Sequence, residues 1–340
     1  MYSNTLLSYS IYQKKNRVLL YKRKNMNKKE QHINIPRSIQ QQIWRIQKDS
    51  THGSSFITKK AIDIIESYFT SSKTQKPFSI KTLQRILLSI VNAQPSMAFI
   101  LTVSNQILTY MDSINNLEPN KEEYKRSILN FLKQLRQNIS QANKTISIHA
   151  LRYLKSATPI ALYSSSSTIQ HTIQRLAEHN ENLTVYCAES RPKNEGTALA
   201  YRLAKKQIQV SLMTDATLFS KISETKAVLI GADAITQKGI TNKIGSHPLS
   251  ILARKYGIGI FCLTSSHKLL PSDYNLTNEA KKPQTDLLNE TSENIDVINY
   301  YFDTTPLKLI TGIITEQGYF TSDEIKKQLQ QKTLHPLLKK

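Results

Sequence analysis

The chain has 340 residues, 39% of them hydrophobic, long enough for one large domain or two ordinary ones and apolar enough for a packed core, which excludes a wholly disordered polypeptide. Lys and Arg number 46 against 25 Asp and Glu, a net charge of +21; the excess favours anionic partners and carries no information on fold. With two cysteines, Cys187 and Cys262, each inside an apolar run, a disulfide framework and a cysteine zinc site are excluded, and both read as small buried hydrophobes.

Residues 1–26 form a basic leader. No acidic residue occurs from Met1 to Lys29, while Lys14, Lys15, Arg17, Lys22, Arg23, Lys24, Lys28 and Lys29 supply positive charge. The segment reads as a solvated, disordered tail; an organellar presequence is the alternative, and Met26 is a second candidate start. It suggests nucleic acid only weakly, since any cationic tail attracts a polyanion. No apolar run reaches the roughly 20 residues that span a bilayer, so the protein is read as soluble and cytoplasmic with no membrane partner.

Residues 27–155 read as a helical domain. The pattern is plainest at Tyr124, Ile128, Phe131, Leu135, Ile139, Ala142 and Ile146, whose spacings of three and four place them on one stripe. Earlier stripes run through Ile39, Ile43 and Ile46, through Ile57, Ala61, Ile64 and Ile65, and through Leu83, Leu87, Ile90 and Val91, with Gly53, Pro77 and Pro95 as breakers. After Pro159 the texture changes. Short apolar runs at 160–163, 183–188, 208–213, 227–230 and 258–263 alternate with helical patterns at 169–179, 197–207, 216–222 and 248–256. Such alternation predicts an α/β domain over 156–330 with a mostly parallel sheet covered on both faces. Residues 270–294 are expected to form a long surface loop before a last strand and helix, and 331–340 a basic tail. Beyond the serine run 164–167 there is no repeat or low-complexity tract.

Open parallel sheets bind ligands beyond the carboxyl ends of their strands. The second apolar run ends in Glu189-Ser190-Arg191-Pro192, with Gly196 opening a helix. Arg191 presents a planar fork suited to phosphate, and a helix starting at Gly196 offers backbone N–H groups to an anion; alternatively Glu189 and Arg191 pair and brace the turn. Asp215 is expected to cap the helix that follows it. The fourth run leads into Gly231-Ala232-Asp233-Ala234-Ile235, then Gly239, then Asn242-Lys243-Ile244-Gly245. An acid, an amide and an ammonium within eleven residues suit gripping a sugar phosphate and moving its protons; the alternative is a hydrogen-bonded loop with a solvated lysine. No glycine-rich dinucleotide fingerprint or P-loop is present. His52, His149, His171, His179, His247 and His267 show no metal-ligand spacing, so neither metal nor cofactor is expected.

In order and spacing these residues, Glu189-Ser190-Arg191-Pro192 with Gly196, Asp215, Gly231-Ala232-Asp233 and Asn242-Lys243-Ile244-Gly245, resemble the signature of the initiation factor 2B alpha/beta/delta subunit family. That family is related to methylthioribose-1-phosphate isomerase and ribose-1,5-bisphosphate isomerase. Phe302-Asp303-Thr304-Thr305-Pro306 and Thr315-Glu316-Gln317-Gly318 are similar to its closing signature. The resemblance implies an N-terminal helical domain, a Rossmann-like domain with a phosphosugar pocket, and a homodimer or paralogous subunits joined through the C-terminal domain. It also implies Asp233 as the isomerases' acid/base and Glu189, Arg191, Gly196, Asn242 and Lys243 as ligand-binding positions for a phosphorylated sugar or nucleotide. Where those enzymes carry Thr-His-Cys, this chain has Leu162-Tyr163-Ser164, so Ser164 holds the place of a missing thiol. Their Arg-Gly-Ala and Arg-Pro elements stand here as His52-Gly53-Ser54 and Gln94-Pro95. The expected function is therefore a non-catalytic or regulatory member acting through protein–protein assembly in translation initiation. The alternative is an aldose–ketose sugar-phosphate isomerase using Asp233.

Overall fold

The computed structural model describes residues 35–49, 53–70, 78–117, 120–276, 279–290 and 293–339; the leader, His52 and Pro77 lie outside them. Five helices come first: α1 (Arg37–Lys48), α2 (Ser54–Thr70), α3 (Ile80–Ala93), α4 (Ala98–Asn115) and α5 (Lys121–Leu154). The start of α5 is written in its sequence. Asn120 Oδ1 accepts the N–H of Glu122 and Glu123 at 3.1 and 3.0 Å, and Glu123 returns a carboxylate oxygen to the N–H of Asn120 at 3.2 Å. Two acids thus sit against the positive end of the helix.

The length of α5, 34 residues, lets one helix serve two cores. Its first half buries Tyr124, Ile128, Leu132, Leu135 and Ile139 among α1–α4. Its second half buries Ala142, Ile146, Ala150 and Leu154 against the sheet. Phe131, expected on the buried stripe, is only partly buried and stacks on Tyr110 with ring centroids 4.2 Å apart, while Leu132 takes the interior position. Arg136 ties α5 to α2 through Asp63 and Glu66, each 2.7 Å away.

The second half alternates as predicted: β1 (Ile160–Tyr163), α6 (Ser167–Ala177), β2 (Thr184–Ala188), α7 (Glu195–Ala204), β3 (Gln209–Met213), α8 (Asp215–Ser220), β4 (Ala227–Ile230), β5 (Ala234–Thr236), β6 (Gly239–Lys243), α9 (Ser246–Lys255), β7 (Gly259–Leu263), β8 (Phe302–Thr305), β9 (Gly312–Thr315), β10 (Gly318–Phe320) and α10 (Ser322–Gln331). The main sheet has seven strands in the order β10-β9-β7-β4-β1-β2-β3, parallel except for β10. Both β1 and β4 are buried along their whole length, as central strands covered on two faces must be. The chain winds outward from them in opposite directions, so the crevice at their carboxyl ends is the switch point where such sheets bind ligands.

Three features depart from expectation. Residues 239–243 are not a loop but strand β6, paired antiparallel with β5 and β8 in a second, three-stranded sheet. Gly239 makes that hairpin: its φ is +141°, and a Cβ there would stand 2.2 Å from the carbonyl oxygen of Thr305. The segment after β7 is not wholly superficial, because Leu270, Tyr274 and Leu276 pack into the helical core. Nor do the final residues trail away. Leu334 and Leu338 join the helical core, Asn105 accepts the N–H of His335 at 2.6 Å, and His335 Nε2 meets Asp112 at 2.8 Å. Among the described residues no helix is long and apolar enough to cross a membrane.

Candidate functional site at the strand ends

Three neighbouring strands, β4, β1 and β2, deliver Asp233, Ser164 and Arg191 to one edge of the sheet. The backbone there is unusual. Of the four described non-glycine residues with positive φ, three belong to this edge: Ser164 at 71°, Ser190 at 65° and Asn194 at 54°. Such conformations persist only where surrounding contacts over-determine them, and they concentrate at functional sites. Here the contacts are visible. Ser190 Oγ accepts the N–H of Ser164 at 2.8 Å and donates to the carbonyl of Ala188 at 3.3 Å, which locks the ends of β1 and β2 together.

Asp215 corrects the sequence reading. The cap of α8 is Thr214, whose hydroxyl accepts the N–H of Thr217 at 3.2 Å. Asp215 instead reaches across to the neighbouring turn, where its two oxygens accept the N–H groups of Ser190 and Arg191, each at 2.8 Å. Gly196 is likewise not a free anion donor. Its N–H is donated to the carbonyl of Glu189 at 3.1 Å, and its lack of a side chain is required because a Cβ would lie 1.9 Å from the carbonyl oxygen of Ala188.

Glu189 and Arg191 do not pair. The Arg191 guanidinium donates to the carbonyl of Asp286 at 3.2 Å, and the half-buried Glu189 carboxylate has no hydrogen bond or ion pair among the described residues. Lys243 is no solvated lysine either. Its side chain is 4% exposed, forms an ion pair with Glu195, and places its ammonium 5.3 Å from the Tyr301 ring centroid and 5.9 Å from that of Phe302. Burial of an ammonium is tolerable with such partners. Among the described residues Glu195 Oε2 remains buried without a partner.

Asn242, also buried, donates to Ser246 Oγ at 3.0 Å, and Ser246 Oγ donates to the carbonyl of Lys243 at 2.7 Å. A Cβ on Gly231 would stand 3.4 Å from Ser166 Cβ and 3.6 Å from Asn242 Oδ1, so β6 meets the end of β1 at this glycine. Asp233 follows two residues later. Its N–H is donated to the carbonyl of Thr241 at 2.7 Å, while its half-buried carboxylate has no protein partner among the described residues. The Ser164 hydroxyl is equally without one. Lys268 donates to the carbonyl of Ala232 beside Asp233.

Sequence reasoning assigned no role to four supports, Asp303, Tyr163, Asp286 and Tyr301. Asp303 Oδ2 accepts the N–H groups of Gly245 and His247 at 2.7 and 3.1 Å, and burial raises this carboxyl above the usual carboxylate range against those two donors. Tyr163 donates to the carbonyl of Ile244 at 2.9 Å; burial, then the nearby Asp215 and Asp303 charges, raises its hydroxyl pKa. Asp286 and Tyr301 close the edge from the segment after β7. Asp303 lay within the closing signature, but none of the four shows its partner locally, since each acts on a residue distant in the chain. Gln94 donates to the carbonyls of Ile46 and Asp49 at 2.8 and 3.2 Å and so finishes α1. Among the described residues no group of three or more His, Cys, Asp or Glu could hold a metal.

The chain is similar to known proteins in sequence and in fold. Two curated methylthioribose-1-phosphate isomerases match: one from Trichoplax adhaerens, 36% identical over 155 residues covering 43% of each chain, and one from Drosophila pseudoobscura pseudoobscura, 33% identical over 168 residues covering 46% of each. The matches thus span less than half the length of these relatives. The fold is that of the 5-methylthioribose 1-phosphate isomerase from Pyrococcus horikoshii OT3, with a TM-score of 0.70, 20% identity and 86% of both chains covered. It is also that of the translation initiation factor eIF-2B from the same organism, with a TM-score of 0.67, 22% identity, and 84% of this chain and 97% of that one covered. A family model described as the initiation factor 2 subunit family matches residues 15–322. The chain belongs to the initiation factor 2 subunit family.

Proposed function

We propose that the crevice at the ends of β4, β1 and β2 binds a phosphorylated sugar and interconverts its aldose and ketose forms. The observation that carries this reading is the Asp233 carboxylate, half-buried at the switch point and claimed by no described protein group. Moving a proton between adjacent carbons needs one group that alternately takes and gives it, and Asp233 is free to do so. Holding the sugar still needs cations and donors. Arg191 supplies charge, Lys243, whose charge is balanced by Glu195, supplies N–H donors, and Asn242 supplies an amide whose Oδ1 accepts nothing among the described residues. The isomerase names of the sequence relatives support the same chemistry. This reverses the order of preference drawn from the sequence.

One observation favours the second reading, a non-catalytic subunit that senses a phosphorylated ligand and acts by assembly with copies of itself or with paralogous subunits in translation initiation. Ser164 stands where the resembling enzymes carry a thiol. A serine hydroxyl needs an activating base, and no described group hydrogen-bonds to this one.

Assay of the purified chain with ribose 1,5-bisphosphate and methylthioribose 1-phosphate, beside Asp233→Asn, separates the two. Turnover that vanishes in the variant supports the isomerase. A chain inert toward both substrates, whose melting temperature still rises with a sugar phosphate, supports the sensing subunit, because only binding to the native state stabilises it.

A further inference from the structure

The turn after β2 and the segment before β8 meet in a contact built around Asp286. Asp286 projects its carboxylate into a ring of donors. Lys193 Nζ is 2.6 Å from Oδ1, while the Tyr301 hydroxyl and Asn299 Nδ2 donate to Oδ2 at 2.6 and 3.1 Å. Arg191 Nη2 donates to the backbone carbonyl of the same residue at 3.2 Å. Three ammonium groups surround the Tyr301 ring, those of Lys193, Lys243 and Lys282, at 5.4, 5.3 and 5.0 Å from its centroid. Two are already neutralised, Lys243 by Glu195 and Lys282 by Glu279 at 3.0 Å. Asp286 therefore answers the charge of Lys193, while Arg191 reaches only its backbone carbonyl.

The carboxylate has the surroundings of a bound anion. Its side chain is 10% exposed, Asn299 behind it is buried, and hydrogen bonds from Lys193 and then Tyr301 hold its pKa below the ordinary value. The fit is nevertheless incomplete. The Arg191 fork, built for two oxygens, meets only a carbonyl. A phosphate carries more charge and three acceptor oxygens, enough for Lys193, Tyr301, Asn299 and the fork together. Since Lys193 is 47% exposed, its pair with Asp286 is screened by water and exchanges readily.

We propose that Lys193, Arg191, Asn299 and Tyr301 form a niche for a phosphate group of the ligand, and that Asp286 is the chain's own anion filling it until that phosphate displaces it. The proposal rests on the reading of the strand-end crevice as a phosphorylated-ligand site and adds the competitor built into it.

Inorganic phosphate is the probe, titrated calorimetrically into the full chain. Asp286→Asn keeps the side-chain shape and removes the competing charge, so it binds phosphate tighter by roughly fivefold, as loss of a weak ion pair allows. Lys193→Met weakens binding in the parent and cancels the gain in the double variant. Folded Asp286→Asn protein with unchanged or weaker affinity overturns the proposal, and so does tightening that survives Lys193→Met. If Asp286→Asn does not fold, Lys193→Met in the parent decides, with unchanged affinity the overturning result. A chain that turns over no sugar phosphate yet shows the Asp286 effect loses the isomerase reading alone; a chain that turns them over with phosphate affinity indifferent to Asp286 and Lys193 loses the niche alone.

Discussion

Asp215 receives the backbone N–H of Arg191 at 2.8 Å, and the same carboxylate holds the N–H of Ser190 at the same distance. An exposed cation of the crevice is thus aimed by an acid from the next strand's connection. Asp215→Ala leaves two N–H groups without their acceptor, at a cost of about 2 kcal/mol. The expected result is a lower chemical-denaturation midpoint together with weaker phosphate binding. A variant that loses stability and keeps full affinity would show that the turn does not position Arg191.

Asp233→Asn is expected to separate chemistry from folding. No described group depends on the carboxylate, so the melting temperature stays close to that of the parent, while isomerisation falls by roughly 10²- to 10⁴-fold, the usual contribution of a positioned acid/base. Steady-state kinetics beside a thermal melt measure both.

Ser164→Cys restores a group that can exchange a proton near neutral pH. Ser164 is held through its N–H, not its hydroxyl, so the substitution leaves the fold unchanged. Turnover in the variant is expected to exceed that of the parent by about tenfold or more. Equal rates would mean that position 164 takes no part in the chemistry.

Gly196→Ala tests the tightness of the turn beneath Arg191. Its Cβ would stand 1.9 Å from the carbonyl oxygen of Ala188, and backbone must move to admit it. The cost is expected at the upper end of overpacking penalties, about 3 kcal/mol, read from urea denaturation.

His267 predicts the acid limb of stability. Its ring stacks on Phe99 with centroids 5.1 Å apart, and Nδ1 lies 3.0 Å from Ser265 Oγ and 4.0 Å from Glu316. Burial lowers its pKa against the pull of Glu316, with Lys332 assisting the lowering. The unfolded chain binds a proton at this histidine near about pH 6.5, the folded chain only at lower pH. The contribution is therefore complete above that value and is lost as pH falls through it toward the folded pKa. His267→Gln is expected to flatten the decline of melting temperature between about pH 7 and pH 5.

The alternation of apolar runs and helical stripes after Pro159 was readable because strand and helix periods are local properties of the chain. So were the stripe of α5 and the run of polar residues at each strand end. Asp215 could not be read correctly, because the amide it satisfies lies 24 residues away. The sequence offers Lys243 as a ligand-gripping ammonium or a solvated lysine, whereas β6 carries it beneath Tyr301 and Phe302 beside Glu195.

By itself the sequence determined the helical first half, the parallel sheet of the second and the edge of that sheet where polar groups gather, since periodicity and strand-end position are set by nearest neighbours in the chain. Tertiary structure alone decided which charges are spent and which are free. Glu195 consumes Lys243 and Asp286 consumes Lys193, whereas Asp233 is left unclaimed. Electrostatic pairing depends on distance through space, and residues far apart in sequence become partners only when the folded backbone sets them side by side.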